Sequence, residues 1–256
     1  LDLKYHRDET NFWIALESLE ILGYMLEYDG EHLTIRGDAR CTAELLKRAS
    51  LTEPRVNIEP WHLPIVETFY EPIKPIYRPD RGKITTFLIM EVHREHFKPI
   101  IKYRPRKLTA DEFDAFKRLH TRFVGEIAQG PIEHERIDGI VRNLFKYSLL
   151  YGTYEGGELV SFACGACGTV VGNLSTVGPV YTSPEFRARG HAKSACSAVV
   201  SELLGKTERA TLVTAQSNVV AIGVYEKIGF TKTGHKFLSF FGHRTRSPET
   251  SNREDG

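Results

Sequence analysis

Apolar and polar positions follow two different periods along this chain, and the places where the period changes mark its organisation. Phe113, Phe116, Leu119, Phe123 and Ile127 keep the three-four spacing of one helix face, and Thr109 with Glu112 forms a capping box ahead of them. Residues 137–147 predict a second helix. Residues 149–154 and 159–164 read as two strands joined by Glu155-Gly156-Gly157, a hairpin. After a Gly-rich link come a strand over 174–181, a helix of small and apolar residues over 194–204, and a buried strand over 210–215. In the helix that follows, Ser217 or Asn218 caps, Ala221, Val224, Tyr225 and Ile228 share a face, and Gly229 ends it. A last strand is expected over 236–241. Strands first antiparallel, then alternating with helices, predict an α+β (mixed α/β) fold: a mostly antiparallel sheet with helices on both faces.

The first hundred residues are less regular. Residues 11–22 carry apolar side chains at 12, 13, 16, 19 and 22 and predict an amphipathic helix. Residues 24–28 and 32–36, joined through Asp29-Gly30, predict a β-hairpin, and 42–49 a short helix. Residues 54–79 hold six prolines among apolar and aromatic residues, the mark of an irregular packed segment. Residues 84–92 predict a strand. No internal repeat is present. The expected boundary lies at 98–107, which gives an additional N-terminal α/β region over 1–103, a second domain over 104–243 and a polar flexible tail over 244–256.

Composition narrows the function classes. The 256 residues suffice for two ordinary domains or one large one, and a hydrophobic share of 41% supplies a core. A net charge of +1 gives no reason to expect nucleic acid or an anionic membrane as partner. No apolar run approaches the roughly 18 residues that span a bilayer. No signal peptide is recognisable, although a start at Leu1 leaves a trimmed segment open. Four cysteines are too few for a secreted disulfide scaffold, so a reducing, cytoplasmic setting is expected. Cys164 and Cys167 have Cys-x-x-Cys spacing without a second pair near by, and read as buried small residues around a turn. His93-Arg-Glu-His96 falls one residue short of the helical zinc pattern, so no metal is expected.

The candidate chemistry lies in two blocks. Arg187-Ala188-Arg189-Gly190-His191-Ala192 stands between a predicted strand and a predicted helix. Such a turn aims backbone N–H groups out of a helix N-terminus, a natural anion site. Gly190 permits close approach to the backbone, and Arg187 and Arg189 add positive charge. The run matches neither the Gly-x-x-x-x-Gly-Lys-Ser/Thr loop nor the Gly-x-Gly-x-x-Gly pattern. The second block is Asn218-Val-Val-Ala221-Ile-Gly-Val-Tyr225-Glu226-Lys227-Ile228-Gly229-Phe230. Together the blocks resemble the GNAT superfamily of acyl-CoA-dependent N-acyltransferases. Arg187, Gly190 and Ala192 match its Arg/Gln-x-x-Gly-x-Gly/Ala signature. Asn218, Ala221, Val224, Tyr225, Glu226, Lys227, Gly229 and Phe230 match the second signature. The resemblance covers about the last 150 residues and nothing in 1–100.

The resemblance implies an acetyl-CoA or other acyl-CoA cosubstrate, no metal, and an amine acceptor: a small molecule or an amino acid, with a protein amine as an alternative. It also implies that the sheet splays at the strand carrying Pro179, which has no N–H to donate to a neighbouring strand. The amides of Val180 and Tyr181 are then expected to meet the pantetheine arm, and those of Ala188 to Ala192 the diphosphate, with Arg187 and Asn218 also on the cofactor side. One strand N–H is a candidate oxyanion donor. Tyr225 is the candidate general acid for the departing thiolate. A phenol near pKa ~10 is weaker than a thiol near ~8.5, so full transfer runs about 2 kcal/mol uphill and a hydrogen bond to sulfur serves equally well. The family's strand carboxylate is absent from residues 173–181. Ser175 or Thr176 could hold a water, and Glu133-His134-Glu135 is a further candidate for the base, beside its reading as an acidic helix start. The competing class is a non-catalytic acyl-CoA-binding or sensing module. The N-terminal region is open between a degenerate relative of the catalytic domain, an acceptor-selecting module and a dimerisation surface, so a homodimer is among the expectations.

Overall fold

The computed structural model describes residues 10–127, 134–168 and 174–245, with residues 134, 135, 167 and 168 by their backbone alone. In chain order the elements are β1 (Asn11–Glu17), β2 (Glu20–Tyr28), β3 (His32–Gly37), α1 (Thr42–Leu46), β4 (Arg55–Ile58), α2 (Leu63–Val66), β5 (Tyr70–Pro75), β6 (Thr85–His93) and β7 (Arg106–Lys107). There follow α3 (Phe113–Ile127), α4 (His134–Tyr147), β8 (Leu149–Glu155), β9 (Glu158–Gly168), β10 (Leu174–Thr182), α5 (His191–Leu204), β11 (Arg209–Ala215), α6 (Val219–Lys227) and β12 (Thr231–Arg244). Two compact units result, Leu1–Phe87 with Lys236–Gly256, and Leu88–His235. No helix among the described residues is long and apolar enough to cross a membrane.

In the first unit the strands run β1-β2-β3-β4 and then the end of β12, with β5 also on β12. Pairing is antiparallel except between β3 and β4. The core gathers Met25, Leu33, Ile35, Leu46, Ile58, Tyr70 and Phe240. The helix expected over 11–22 does not form. β1 and β2 make a hairpin there, turned by Ser18 and Leu19 at φ 50° and 71°. Residues 12–16 are apolar at every position, a run that satisfies a period of 2 as well as one of 3.6, so pairing with β2 decides it. The hairpin through Asp29-Gly30 does form, both residues at positive φ. Residues 54–79, expected to be irregular, hold β4, α2 and β5. Pro60 and Pro64 stand at the starts of helical turns, where a missing N–H costs nothing.

In the second unit the order is β6-β11-β10-β9-β8-β7, with the start of β12 beside β6, where Thr233 Oγ1 donates to the Ile89 carbonyl at 3.1 Å. β10 and β11 are parallel, and the strands from β10 to β7 pair antiparallel. Alternate β9 residues look to opposite faces. Ala163 joins the core under α5 with Val177, Val199, Leu203, Leu212 and Phe230. Phe162 and Cys164 join the one under α3 and α4 with Phe116, Leu119, Val141 and Leu150. The expected boundary segment 98–107 lies within this unit, where Ile100 N, Lys102 N and Tyr103 N donate to Ser197 and Ser194 of α5.

Candidate functional site

β10 borders β11 over only half its length. The ladder runs from Leu174 opposite Arg209 to Val177 opposite Leu212, whereas β10 continues to Thr182 and β11 to Ala215. The register on the β9 side slips between Val177 and Val180, at Gly178 and Pro179, the latter without an N–H. Past that slip the strand keeps β9 and loses β11. Ser183 N donates to the Val160 carbonyl at 2.9 Å, and Ser161 Oγ to the Tyr181 carbonyl at 2.7 Å. Strand alternation therefore turns the main chain of Tyr181 toward β9 and that of Val180 and Thr182 toward the gap. Of the two amides predicted to face a ligand, Val180 offers its N–H to the gap, while Tyr181 spends its own on β9.

The turn after β10 delivers the chain to α5. Ala188 and Gly190 stand at φ 61° and 109°, and Gly190 is the N-cap. The helix's first bond runs from Ser194 N to the Gly190 carbonyl, so the amides of Gly190, His191, Ala192 and Lys193 precede it, and no described group accepts from them. The positive φ is what calls for glycine at 190, since a Cβ there would meet the Lys102 stem only in ordinary contact at 3.4 Å. The turn is thus a set of aligned donors with the helix dipole behind it.

The side chains of the motif do not all point where sequence spacing suggested. Arg187 donates to the Thr182 carbonyl at 2.9 Å, pairs with Glu126 of α3 and lies over the Tyr181 ring. Arg189 pairs with Glu155 at 2.9 Å and donates to the Glu185 carbonyl at 3.0 Å. Both guanidinium charges are therefore matched by carboxylates, and the uncompensated attraction for an anion comes from the amides. His191 is fully buried, hydrogen-bonded to Thr153 at 3.0 Å and Glu155 at 2.9 Å, with Tyr103 stacked on its ring at 3.7 Å. It contributes its backbone to the turn and its imidazole to the sheet.

Tyr225 lies on the inner face of α6, buried in the core under α5 with its ring 6.0 Å from Phe230. Asn218 caps α6 by accepting from Ala221 N at 3.1 Å, which leaves its amide group to donate elsewhere. Gly229 sits at φ 105°, and a Cβ there would meet the His96 carbonyl at 2.2 Å, so this motif glycine serves a close backbone approach. Ser175 is buried and bonded to Thr207, which removes it as a water-holder. The side chains of the acidic run 133–135 lie outside the described residues, as does that of Cys167, whereas Cys164 is buried in the core under α3 and α4, where desolvation raises its pKa.

Sequence reasoning missed Glu126. One turn after Arg122 on α3, it accepts from the Tyr181 hydroxyl and holds Arg187, while Arg122 donates to Ser183 Oγ at 3.0 Å and pairs with Glu185. Burial, with Glu126 beside it, pushes the Tyr181 phenol up to about 12, so it remains a donor at neutral pH. Arg122 and Glu126 flank the apolar stripe of α3, and nothing in their spacing reveals the strand they meet. A cavity of about 400 Å³ opens on the α3 face, lined by Arg106, Arg118, Arg122 and Tyr154 among others; no residue of the 187–192 turn lines it.

Residues 150–238 match the family model described as FR47-like protein, a span that contains both signature blocks. A GCN5-related N-acetyltransferase from Sphaerobacter thermophilus superposes with a TM-score of 0.62 at 15% identity, covering 92% of this chain and 80% of that one. An acetyltransferase from the GNAT family of Colwellia psychrerythraea gives 0.60 at 14%, covering 93% and 87%. A Drosophila protein gives 0.63 at 14%, covering 90% and 79%. No curated protein sequence matches the chain.

Proposed function

From a chain with the fold of the GNAT superfamily, we propose an N-acyltransferase that moves an acetyl or other short acyl group from acyl-CoA to a primary amine. The acceptor class we assign is the amine of a small molecule or amino acid. The observation that carries the reading is the half-open β10–β11 pairing ahead of the unoccupied amides of the α5 turn. An extended ligand with amide groups fits the first, and a diphosphate fits the second. We assign the diphosphate to the amides of Ala188 to Ala192, and the pantetheine arm to the gap beside Val180, with Asn218 across it.

In the proposed step the amine nitrogen attacks the thioester carbonyl, and the oxyanion that forms takes a hydrogen bond from a β10 amide, that of Val180. The intermediate collapses with expulsion of the thiolate, to which Tyr225 donates a hydrogen bond or its proton. The amine's own proton must leave, because an alkylamine near pKa ~10 is almost wholly protonated at pH 7. With no carboxylate on β10, this proton passes to water or to a carboxylate outside the strand.

The test is direct. The purified protein should bind acetyl-CoA, and Gly190→Asp should abolish that binding by repulsion and bulk; unaltered affinity would refute the cradle. Tyr225→Phe should lower kcat tenfold or more and leave acetyl-CoA affinity nearly intact. Equal turnover by the two proteins removes the acid assignment. The missing strand carboxylate also favours a second reading, an acyl-CoA-binding module without turnover. Release of free thiol from acetyl-CoA across a panel of amines separates the two, and a lysine peptide in the panel tests a protein acceptor.

A further inference from the structure

A strand apolar on both faces is what a chain uses where both faces are covered. β1 is such a strand, with Phe12, Trp13, Ile14, Ala15 and Leu16 in unbroken succession. Trp13 and Ala15 pack against the core of the first unit. The opposite face is bare among the described residues. Phe12, Ile14 and Leu16 stand across from Leu26, Tyr24 and Ile21 of β2, so the six form one surface two strands wide, and Leu19 extends it at the turn. Leu19 is 95% exposed, Ile21 67%, Leu16 60%, Phe12 50% and Ile14 47%. The Phe12 and Tyr24 rings, 5.7 Å apart, stiffen its middle. β1 also ends the strand order, with no neighbour on its outer side among the described residues.

We propose that this face joins two copies of the chain, hairpin stacked on hairpin about a two-fold axis beside Ile14 and Tyr24. Three observations favour a second copy over other occupants. The surface is uncharged and complementary to itself. A two-fold rotation about its centre lays Leu16, Leu19 and Ile21 of one copy over Phe12 and Leu26 of the other. Its exposed area amounts to roughly 700 Å² per copy, more than a monomer ordinarily leaves bare. Two such faces reach the range of specific interfaces, about 1,200–2,000 Å² in total. At its tip the acids Glu17 and Glu20 outnumber Arg40, which pairs with Glu17 at 3.5 Å, a balance that disfavours an anionic membrane, and the two-fold arrangement places the two tips at opposite ends.

Sedimentation velocity on the full chain from about 0.5 to 100 µM should show a monomer–dimer equilibrium. Ile14→Lys and Leu16→Glu should each weaken it at least about a hundredfold, with far-UV circular dichroism unchanged. Ile14→Cys should be joined into a covalent dimer by a short bis-maleimide at a rate the unsubstituted chain does not show, a readout that survives if a charged variant fails to fold. A monomer throughout the range overturns the proposal. So does a dimer that both charged variants leave intact, or a monomer that binds phosphatidylcholine vesicles and loses that binding in Ile14→Lys.

Discussion

His120 shows how far a single side chain can depart from what its letter suggests. It lies in α3, its imidazole buried against Phe116, Phe123 and Phe162 with Nδ1 unpartnered, and burial lowers its pKa to about 4. In the unfolded chain a histidine titrates near 6.5. Between these values the unfolded state binds the extra proton, so stability is complete above about 6.5 and falls as pH drops toward 4. Urea denaturation at pH 7.5 and pH 5 should differ by about 2 kcal/mol from this group, and His120→Phe should remove that difference. His62, buried between Thr42 and Glu59 and likewise lowered by desolvation, adds to the slope and remains as a residue of it in the variant. The helical spacing of 116, 119 and 123 marks the core stripe; that His120 joins it depends on the pocket three phenylalanines make.

At the scale of elements, packing of α5 on β9 fixes where the amide turn opens. Gly165 is the contact that permits it, because a Cβ there would lie 2.4 Å from Val199 Cγ1 and 2.9 Å from Leu203 Cδ1. Gly165→Ala should therefore destabilise the protein by about 1–3 kcal/mol in urea and weaken acetyl-CoA binding in parallel. Loss of stability with undiminished affinity at saturating fold would separate the helix seat from the cradle. The capped helix ending at 127, the helices expected over 137–147 and 194–204, which run over 134–147 and 191–204, and the hairpin at 155–157 were legible from capping, periodicity and Gly-Gly alone, because local chemistry and tertiary packing agree there. Residues 11–22 were misread since five consecutive apolar residues carry no period. The signature blocks located the turn, but the pairing of Arg187 and Arg189 with Glu126 and Glu155 was out of reach, as those partners lie 61 and 34 positions away.

For the whole molecule, the order of the chain is not the order of its compact units. The end of β12 runs between β4 and β5, and Phe240 is fully buried in the first unit's core, although about 150 residues of the second unit separate these strands in sequence. A chain ending at residue 235 should accordingly lose the cooperative folding of residues 10–87. The measurements are far-UV ellipticity and amide exchange in β3 and β4; native protection there would show that β12 is dispensable. The sequence by itself determined the GNAT-like fold class, the elements around both signature blocks and the turn of open amides ahead of α5, since each rests on local periodicity, caps and glycine conformations. Only the tertiary structure decided which amide of β10 faces the gap, which charges are already paired and where the units divide. Those outcomes depend on register and on contacts between residues far apart in the chain, which no short-range pattern encodes.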